Sequence, residues 1–199
     1  MIHPYLIPIF ITHILSYWIA GFAYVYFYKL WSKDAPVLIK NVLINQFFYT
    51  PLYIIPFNFY PENQFSTINI IWQLPAIVIL TDIIFYATHR YAHYNKIIYR
   101  NIHLKHHTND DPLIAISALN AHPLEHLFIN LLSTVAPLFI VKANLIVGMV
   151  WTIIASVNVI IAHSATWPDD PHTIHHKYKA YNYGAGPLLL DRFLNTYKI

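Results

Sequence analysis

The sequence predicts an all-α integral membrane protein of about four to five membrane helices, with a histidine-rich site gathered on its cytosolic face. Three observations lead there. Apolar residues make up 57% of the chain, charged residues 11%, and the mean hydropathy is +0.43; an ordinary soluble domain carries about 25% charged residues. Apolar runs long enough to cross a hydrocarbon layer of about 30 Å recur along the chain. The histidines, 13 in 199 residues, bunch at the ends of those runs.

The first run extends from Pro4 to Tyr28 and is interrupted by His13 and a few small polar side chains. It is too long, and lacks the basic leading segment, for a cleaved signal peptide. Lys29, Lys33, Asp34 and Lys40 follow as a polar stretch. Residues 37–60 form a second run, in which Pro51 and Pro56 predict kinks. After the loop Pro61-Glu62-Asn63-Gln64, residues 67–88 form a third, with Pro75 inside it and Asp82 at membrane depth. An ionisable side chain there is costly and marks a functional position. Asp82 precedes His89 by seven residues and His93 by eleven, close to one helical face, so it is a candidate to orient a ligand ring. The alternative is a carboxylate bonded to a neighbouring helix. Residues 94–123 are polar, and residues 124–163 are apolar again, broken by Lys142-Ala143-Asn144. That length admits two spans or a re-entrant hairpin. Trp167-Pro168-Asp169-Asp170-Pro171 predicts a turn, and Gly184 and Gly186 mark a bend in the tail from His172 to Ile199.

The net charge of +3 is small and its lysines and arginines are dispersed, which argues against a nucleic-acid partner. The absence of cysteine excludes disulfides, thiolate zinc sites and iron–sulfur clusters. By the positive-inside rule, Lys33, Lys40, Arg90, Arg100, Lys105, Lys177 and Lys179 mark the cytosolic side, with Glu62 and Lys142 opposite.

His89 and His93 are spaced i, i+4, which on a helix puts both rings on one face. His103, His106 and His107 are spaced i, i+3, i+4, and the pattern recurs as His172, His175 and His176. That spacing predicts three rings on one helical face, able to reach two neighbouring ions. His122 lies at a helix entrance before Pro123, and His163 ends the last apolar run, both on the side of the triplets. Imidazole is the commonest protein metal ligand, and so many together exceed what a single ion takes, which implies two metals. His126 is one turn beyond His122 and is expected to be dispensable; His3 and His13 are read as structural. The glutamate-rich di-iron template is absent, since no E-x-x-H occurs, and His122-Pro-Leu-Glu-His126 has the wrong order for a zinc protease. What remains is an all-nitrogen dinuclear site at a membrane surface, suited to oxygen activation beside a lipid. A membrane protein with a structural or sensory zinc site is the alternative, and a metal-ion transporter would place its ligands nearer mid-membrane.

Several segments resemble the fatty acid hydroxylase/sterol desaturase superfamily. They are Asp82 through His89-Arg90-Tyr-Ala-His93, Tyr99 through His106-His107, Ala121-His122-Pro123-Leu124-Glu125, His172 through Asn182-Tyr183-Gly184, and Asp191-Arg192. The resemblance covers about residues 78–199. It implies an oxygen-dependent di-iron oxidoreductase that hydroxylates or desaturates a sterol, fatty acid or related lipid. Two iron ions would be its cofactor and O2 its co-substrate, with zinc able to occupy the same nitrogens in a purified sample. It implies His89, His93, His103, His106, His107, His172, His175 and His176 as ligands, with His163 matching a further one. Residues 1–66 are then N-terminal membrane helices and residues 67–199 the catalytic region of a single domain. The implied location is the endoplasmic reticulum if the source is eukaryotic. No heme module precedes the domain, so an external donor such as cytochrome b5 with its reductase is expected. The chain departs from the family pattern at Leu190, where tryptophan is frequent, and at Asn195, where glycine is.

Overall fold

The computed structural model describes residues 5–28, 31–53, 67–109, 114–164, 166–167 and 169–199. The expectations for His3, Pro56 and the Glu62 loop lie outside these residues. The described residues are helical, without strands. Four helices are long and apolar enough to cross a membrane. They are α1 (Leu6–Tyr28), α3 (Ile68–Tyr94 within Thr67–Tyr94), α5 (Pro123–Ile140) and α6 (Leu145–Ala162). Between and after them lie α2 (Ala35–Ile44), α4 (Lys96–Asn101), α7 (Pro171–Tyr178) and α8 (Leu189–Phe193).

Exposure on α1 shows what its sequence is for. Ile7, Ile11, Leu15, Ile19, Phe22 and Tyr26 form an exposed apolar stripe at three- and four-residue spacing, whereas Leu6, Tyr17 and Gly21 are buried. A stripe of that length on a soluble protein would be a large apolar patch in water; against lipid tails it costs nothing. The buried face packs along α6. There is no hydrophobic drive between helices in lipid, so packing and interhelical hydrogen bonds hold them. Trp151 of α6 donates from Nε1 to Thr134 O of α5 at 2.8 Å, and Thr81 of α3 donates to Ser133 O of α5 at 3.0 Å.

The stretch 124–163 resolves into two helices of 18 residues each, joined at Val141–Asn144. Each is roughly 27 Å long at 1.5 Å per residue, enough to span. Lys142 takes the left-handed conformation in the turn (φ 53°), and Asn144 caps α6 by accepting from Val147 N at 3.0 Å.

The second expected span is less regular. Residues 35–53 are helical, but α2 passes into a π turn over Asn45–Tyr49 and a 3-10 turn over Thr50–Tyr53. Thr50 N bonds Asn45 O in the wider i→i−5 pattern, and Pro51, which has no N–H, ends it. This stretch is not among the four helices long and apolar enough to cross. It packs back along α1: Leu38 shares a buried cluster against which Val25 packs, Gln46 bonds Trp18, and Phe47 meets Phe10.

At 28 residues, α3 is roughly 42 Å long and exceeds the hydrocarbon thickness by two or three turns. Its last turns carry His89 and His93. The start of α5, the end of α6 and all of α7 sit at that same end, so the chain collects its histidines there. Leu6 packs with Val141 and Val147 at the opposite end, where Lys142 also lies.

Candidate metal centre

The histidine triplets do not present one face each. The first lies on a 3-10 helix, His103–Asn109, rather than an α-helix. Its members divide between two groups. His89, His93, His103, His107 and His175 form the first, and His106, His163, His172 and His176 the second; within each, the ligand nitrogens all lie within 4.8 Å of one another. In both triplets the i, i+4 pair serves one group while the residue between them crosses to the other. His103 and His107 join the first and His106 the second, whereas His172 and His176 join the second and His175 the first.

Local structure places these rings. Asp170 caps α7, its Oδ1 accepting from His172 N at 2.9 Å and Thr173 N at 3.1 Å, with Pro171 as the first helical residue. Lys179 ends α7 in the left-handed conformation (φ 60°). His163 closes the last turn of α6, its Nδ1 2.9 Å from Val159 O. His89 Nδ1 stands 2.8 Å from Tyr183 O, and His175 Nδ1 2.7 Å from Tyr181 O. Carbonyl oxygens only accept, so each of these rings carries its proton on Nδ1 and leaves Nε2 bare.

The bare nitrogens face one another. His93 Nε2 is 2.8 Å from His103 Nε2, His89 Nε2 is 3.2 Å from it, and His107 Nε2 is 3.1 Å from it. In the second group His172 Nε2 lies 3.1 Å from His163 Nε2 and 3.0 Å from His176 Nε2, while His106 Nε2 is 3.3 Å from His163 Nε2. His175 Nε2 is buried with no hydrogen-bond partner among the described residues. Protonation does not relieve the crowding. Burial lowers His163 to about 4 and His175 to about 3, and holds His106, His172 and His176 well below the usual imidazole range, with neighbouring imidazoles lowering these three further. Ring nitrogens gathered in two such groups could each hold a metal ion, and all-nitrogen donor sets fit borderline metals such as iron or zinc.

Glu125 supplies a buried carboxylate to this shell. Its Oε2 lies 3.0 Å from His103 Nδ1. Carboxylate contacts of this kind fix ring orientation and raise ligand basicity. A glutamate one turn into an apolar helix was the available signal.

Two sequence-derived candidates are placed elsewhere. His122 belongs to neither group: it is half-buried, and its Nδ1 accepts from Leu124 N at 3.2 Å as the N-cap of α5. Pro123 restricts His122 to extended backbone (φ −64°, ψ 143°), which folds the ring over the helix start instead of toward the cluster. Asp82 is fully buried but its bonded oxygen, Oδ2, accepts from Leu189 N at 2.8 Å, and among the described residues no histidine ring is hydrogen-bonded to it. Asp191 accepts from Tyr183 N at 2.9 Å, Gly184 N at 2.7 Å and Thr196 Oγ1 at 2.7 Å. The two carboxylates therefore clamp the segment whose Tyr183 carbonyl orients His89. A Cβ on Gly184 would collide with Asp82 Oδ1 and stand 2.9 Å from Asp191 Oδ2. Asp82 is a positioning residue for the tail. Asn195 has φ 55°, a conformation open to glycine and tolerated by asparagine, which accounts for that departure.

A cavity of about 380 Å³ leads into the centre. Phe10, Val78, Leu138 and Trp151 wall it within the spanning helices, and His106, His163 and His172 of the second group stand on it.

Residues 74–196, more than half of the chain, match the fatty acid hydroxylase family. The chain belongs to that family. Its relatives within the superfamily include a Delta(7)-sterol 5(6)-desaturase of Candida dubliniensis, 29% identical over 136 residues that cover 65% of this chain and 35% of the relative. The fatty acid hydroxylase ahd1 of Mycosarcoma maydis is 33% identical over 138 residues, covering 65% of this chain and 34% of its own length. Sphinganine C4-monooxygenase 2 of Arabidopsis thaliana is 24% identical, with 92% of this chain and 85% of the relative covered. The chain thus spans about a third of the length of the first two. No solved structure matches it. This fatty acid hydroxylase family member carries the paired histidine groups inside the matched region, from His89 to His176.

Proposed function

We propose that this chain is a membrane-embedded, oxygen-dependent di-iron oxidoreductase that hydroxylates or desaturates a lipid such as a sterol, a fatty acid or a long-chain base. The observation that carries this reading is the cavity: it passes between apolar walls of the spanning helices and ends on His106, His163 and His172. An acyl chain or ring entering from the bilayer meets the second histidine group without crossing water. Cavities of this size and apolarity are usual for small-molecule sites.

Two iron ions held by the groups would supply dioxygen activation and removal of a hydrogen from an unactivated C–H bond. The chain's own residues do the rest. Nine imidazoles present Nε2 to the groups: His89, His93, His103, His107 and His175 to one, His106, His163, His172 and His176 to the other. The carbonyls of Tyr183, Tyr181 and Val159 hold the protons of His89, His175 and His163 on Nδ1, and Glu125 braces His103. The apolar walls position the lipid and exclude water, and position within about an ångström decides which carbon reacts. Electrons come from an external donor such as cytochrome b5 with its reductase. In a eukaryote the chain resides in the endoplasmic reticulum, with its histidine end in the cytosol, the side on which Arg90, Arg100, Lys105, Lys177 and Lys179 lie. Residues 67–199 carry the centre, and α1 of the N-terminal region adds Leu6 and Phe10 to the cavity wall.

Lipid mass spectrometry tests the reading. Cells expressing the chain should gain a lipid with an added oxygen or double bond, and cells expressing His106→Ala or His172→Ala should not. Unchanged lipids, with zinc retained in the purified chain and no dioxygen uptake under a reductant, would favour a structural or sensory zinc site instead.

A further inference from the structure

A chain of hydrogen bonds runs into the cavity wall from α1. Trp18 Nε1, which can only donate, gives its hydrogen to Gln46 Oε1 at 2.8 Å. That fixes the Gln46 amide, so its Nε2 donates to His13 Nε2 at 3.2 Å. His13 then carries its proton on Nδ1 and donates to Ser156 Oγ at 3.0 Å. The hydroxyl proton of Ser156 has no acceptor among the described residues, and Ser156 lines the cavity. His126 lines the same cavity. Its Nε2 is 2.9 Å from Thr50 Oγ1, and its Nδ1 is buried with no partner among the described residues. The wall thus offers one donor and one further imidazole nitrogen, beside the amides of Asn130 and Asn158 and a mainly apolar remainder. Leaving buried polar groups unsatisfied is costly.

We propose that Ser156 and His126 form a subsite for an uncharged hydroxyl group of the lipid, inside the membrane-spanning part of the cavity. A hydroxyl both accepts and donates, which matches the Ser156 donor and, with Thr50 Oγ1 donating to Asn45 O and accepting from His126 Nε2, an acceptor at His126 Nδ1. A charged head group does not suit the place. Asp170 is the sole ionised side chain on the cavity among the described residues, and it is occupied in capping α7. Ser156 precedes His163 by two turns of α6, roughly 10 Å along the axis and close to the same face. The subsite would hold the hydroxyl about that far from the second histidine group and so select which carbon lies there. The inference rests on the reading of the cavity as a lipid site.

Binding without turnover tests it. Calorimetric titration of the purified full chain in nanodiscs, corrected for partition into empty nanodiscs, compares 1-dodecanol with dodecane. The expected result is that the alcohol binds about tenfold more tightly, and that Ser156→Ala and His126→Phe each bring the two affinities within about twofold while metal content is unchanged. Equal affinities in the unmodified chain, or an alcohol preference that survives both substitutions, would overturn the subsite alone. Failure of both probes to bind would overturn the subsite together with the lipid cavity.

Discussion

Glu125 Oε2 lies 3.0 Å from Nδ1 of His103, and both side chains are buried. His103 in turn touches three other ring nitrogens of its group, those of His89, His93 and His107. A carboxylate behind the ring at the middle of a group controls that group's geometry. Glu125→Ala should therefore weaken metal retention by about ten- to a hundredfold, measured by competition with a graded chelator series. Glu125→Gln, which still offers an oxygen, should lose less.

His122 and His163 separate a helix cap from a ligand. His122→Ala removes a cap from α5, worth about 1 kcal/mol, and should leave metal content unchanged. His163→Ala removes a nitrogen from the second group and should reduce metal content and lipid product together. Paired metal analysis and lipid assay at matched expression check this, and loss of metal on His122→Ala would mean that its ring reaches the centre.

The Asp82–Gly184–Asp191 contact predicts a tail effect that travels to the first group. Gly184→Ala forces a Cβ against both carboxylates. It should destabilise the fold by roughly 1–3 kcal/mol, as overpacking does, and displace the Tyr183 carbonyl from His89. Thermal melting and chelator resistance should both fall. Asp82→Asn keeps an acceptor for Leu189 N, so its effect should be smaller than that of Gly184→Ala.

Much of this was legible in the residues. The apolar runs announced the helices, and the repeated H-x-x-H-H spacing announced a gathering of histidines that could hold metal. The division of each triplet between two groups was not legible, because the first triplet folds as a 3-10 helix and the second as an α-helix. The partners of His89 and His175 are backbone carbonyls, which leave no trace in side-chain identity. For Asp82 the spacing to His89 and His93 leaves two readings open, a support for a ligand ring or a carboxylate bonded to a neighbouring helix, and its bonded partner is Leu189, 107 residues away. The place of His122 near the triplets suggests a ligand, but Pro123 sets its backbone and turns the ring to the helix start.

Acid should release the metals and weaken the metal-free fold in a defined window. His163 titrates at about 4 in the fold against 6.5 for a free imidazole, and His175 at about 3. Between those limits the unfolded chain binds protons that the folded chain does not, so stability falls as pH drops from about 6.5 toward 4 and changes little above it through these groups. Metal-free melting temperatures recorded from pH 8 to about pH 4 should be flat at the alkaline end and decline below about 6.5. A rise on acidification would contradict the buried neutral imidazoles.

The most direct measurement is the metal-to-protein ratio of the purified chain and of two single variants. His107→Ala touches the first group and His172→Ala the second. The account predicts two ions per chain without substitution, and impaired occupancy in each variant that begins in a different group, resolved as a loss of one ion before the other under chelator titration. A ratio of one that neither substitution changes would contradict a centre built from two histidine groups.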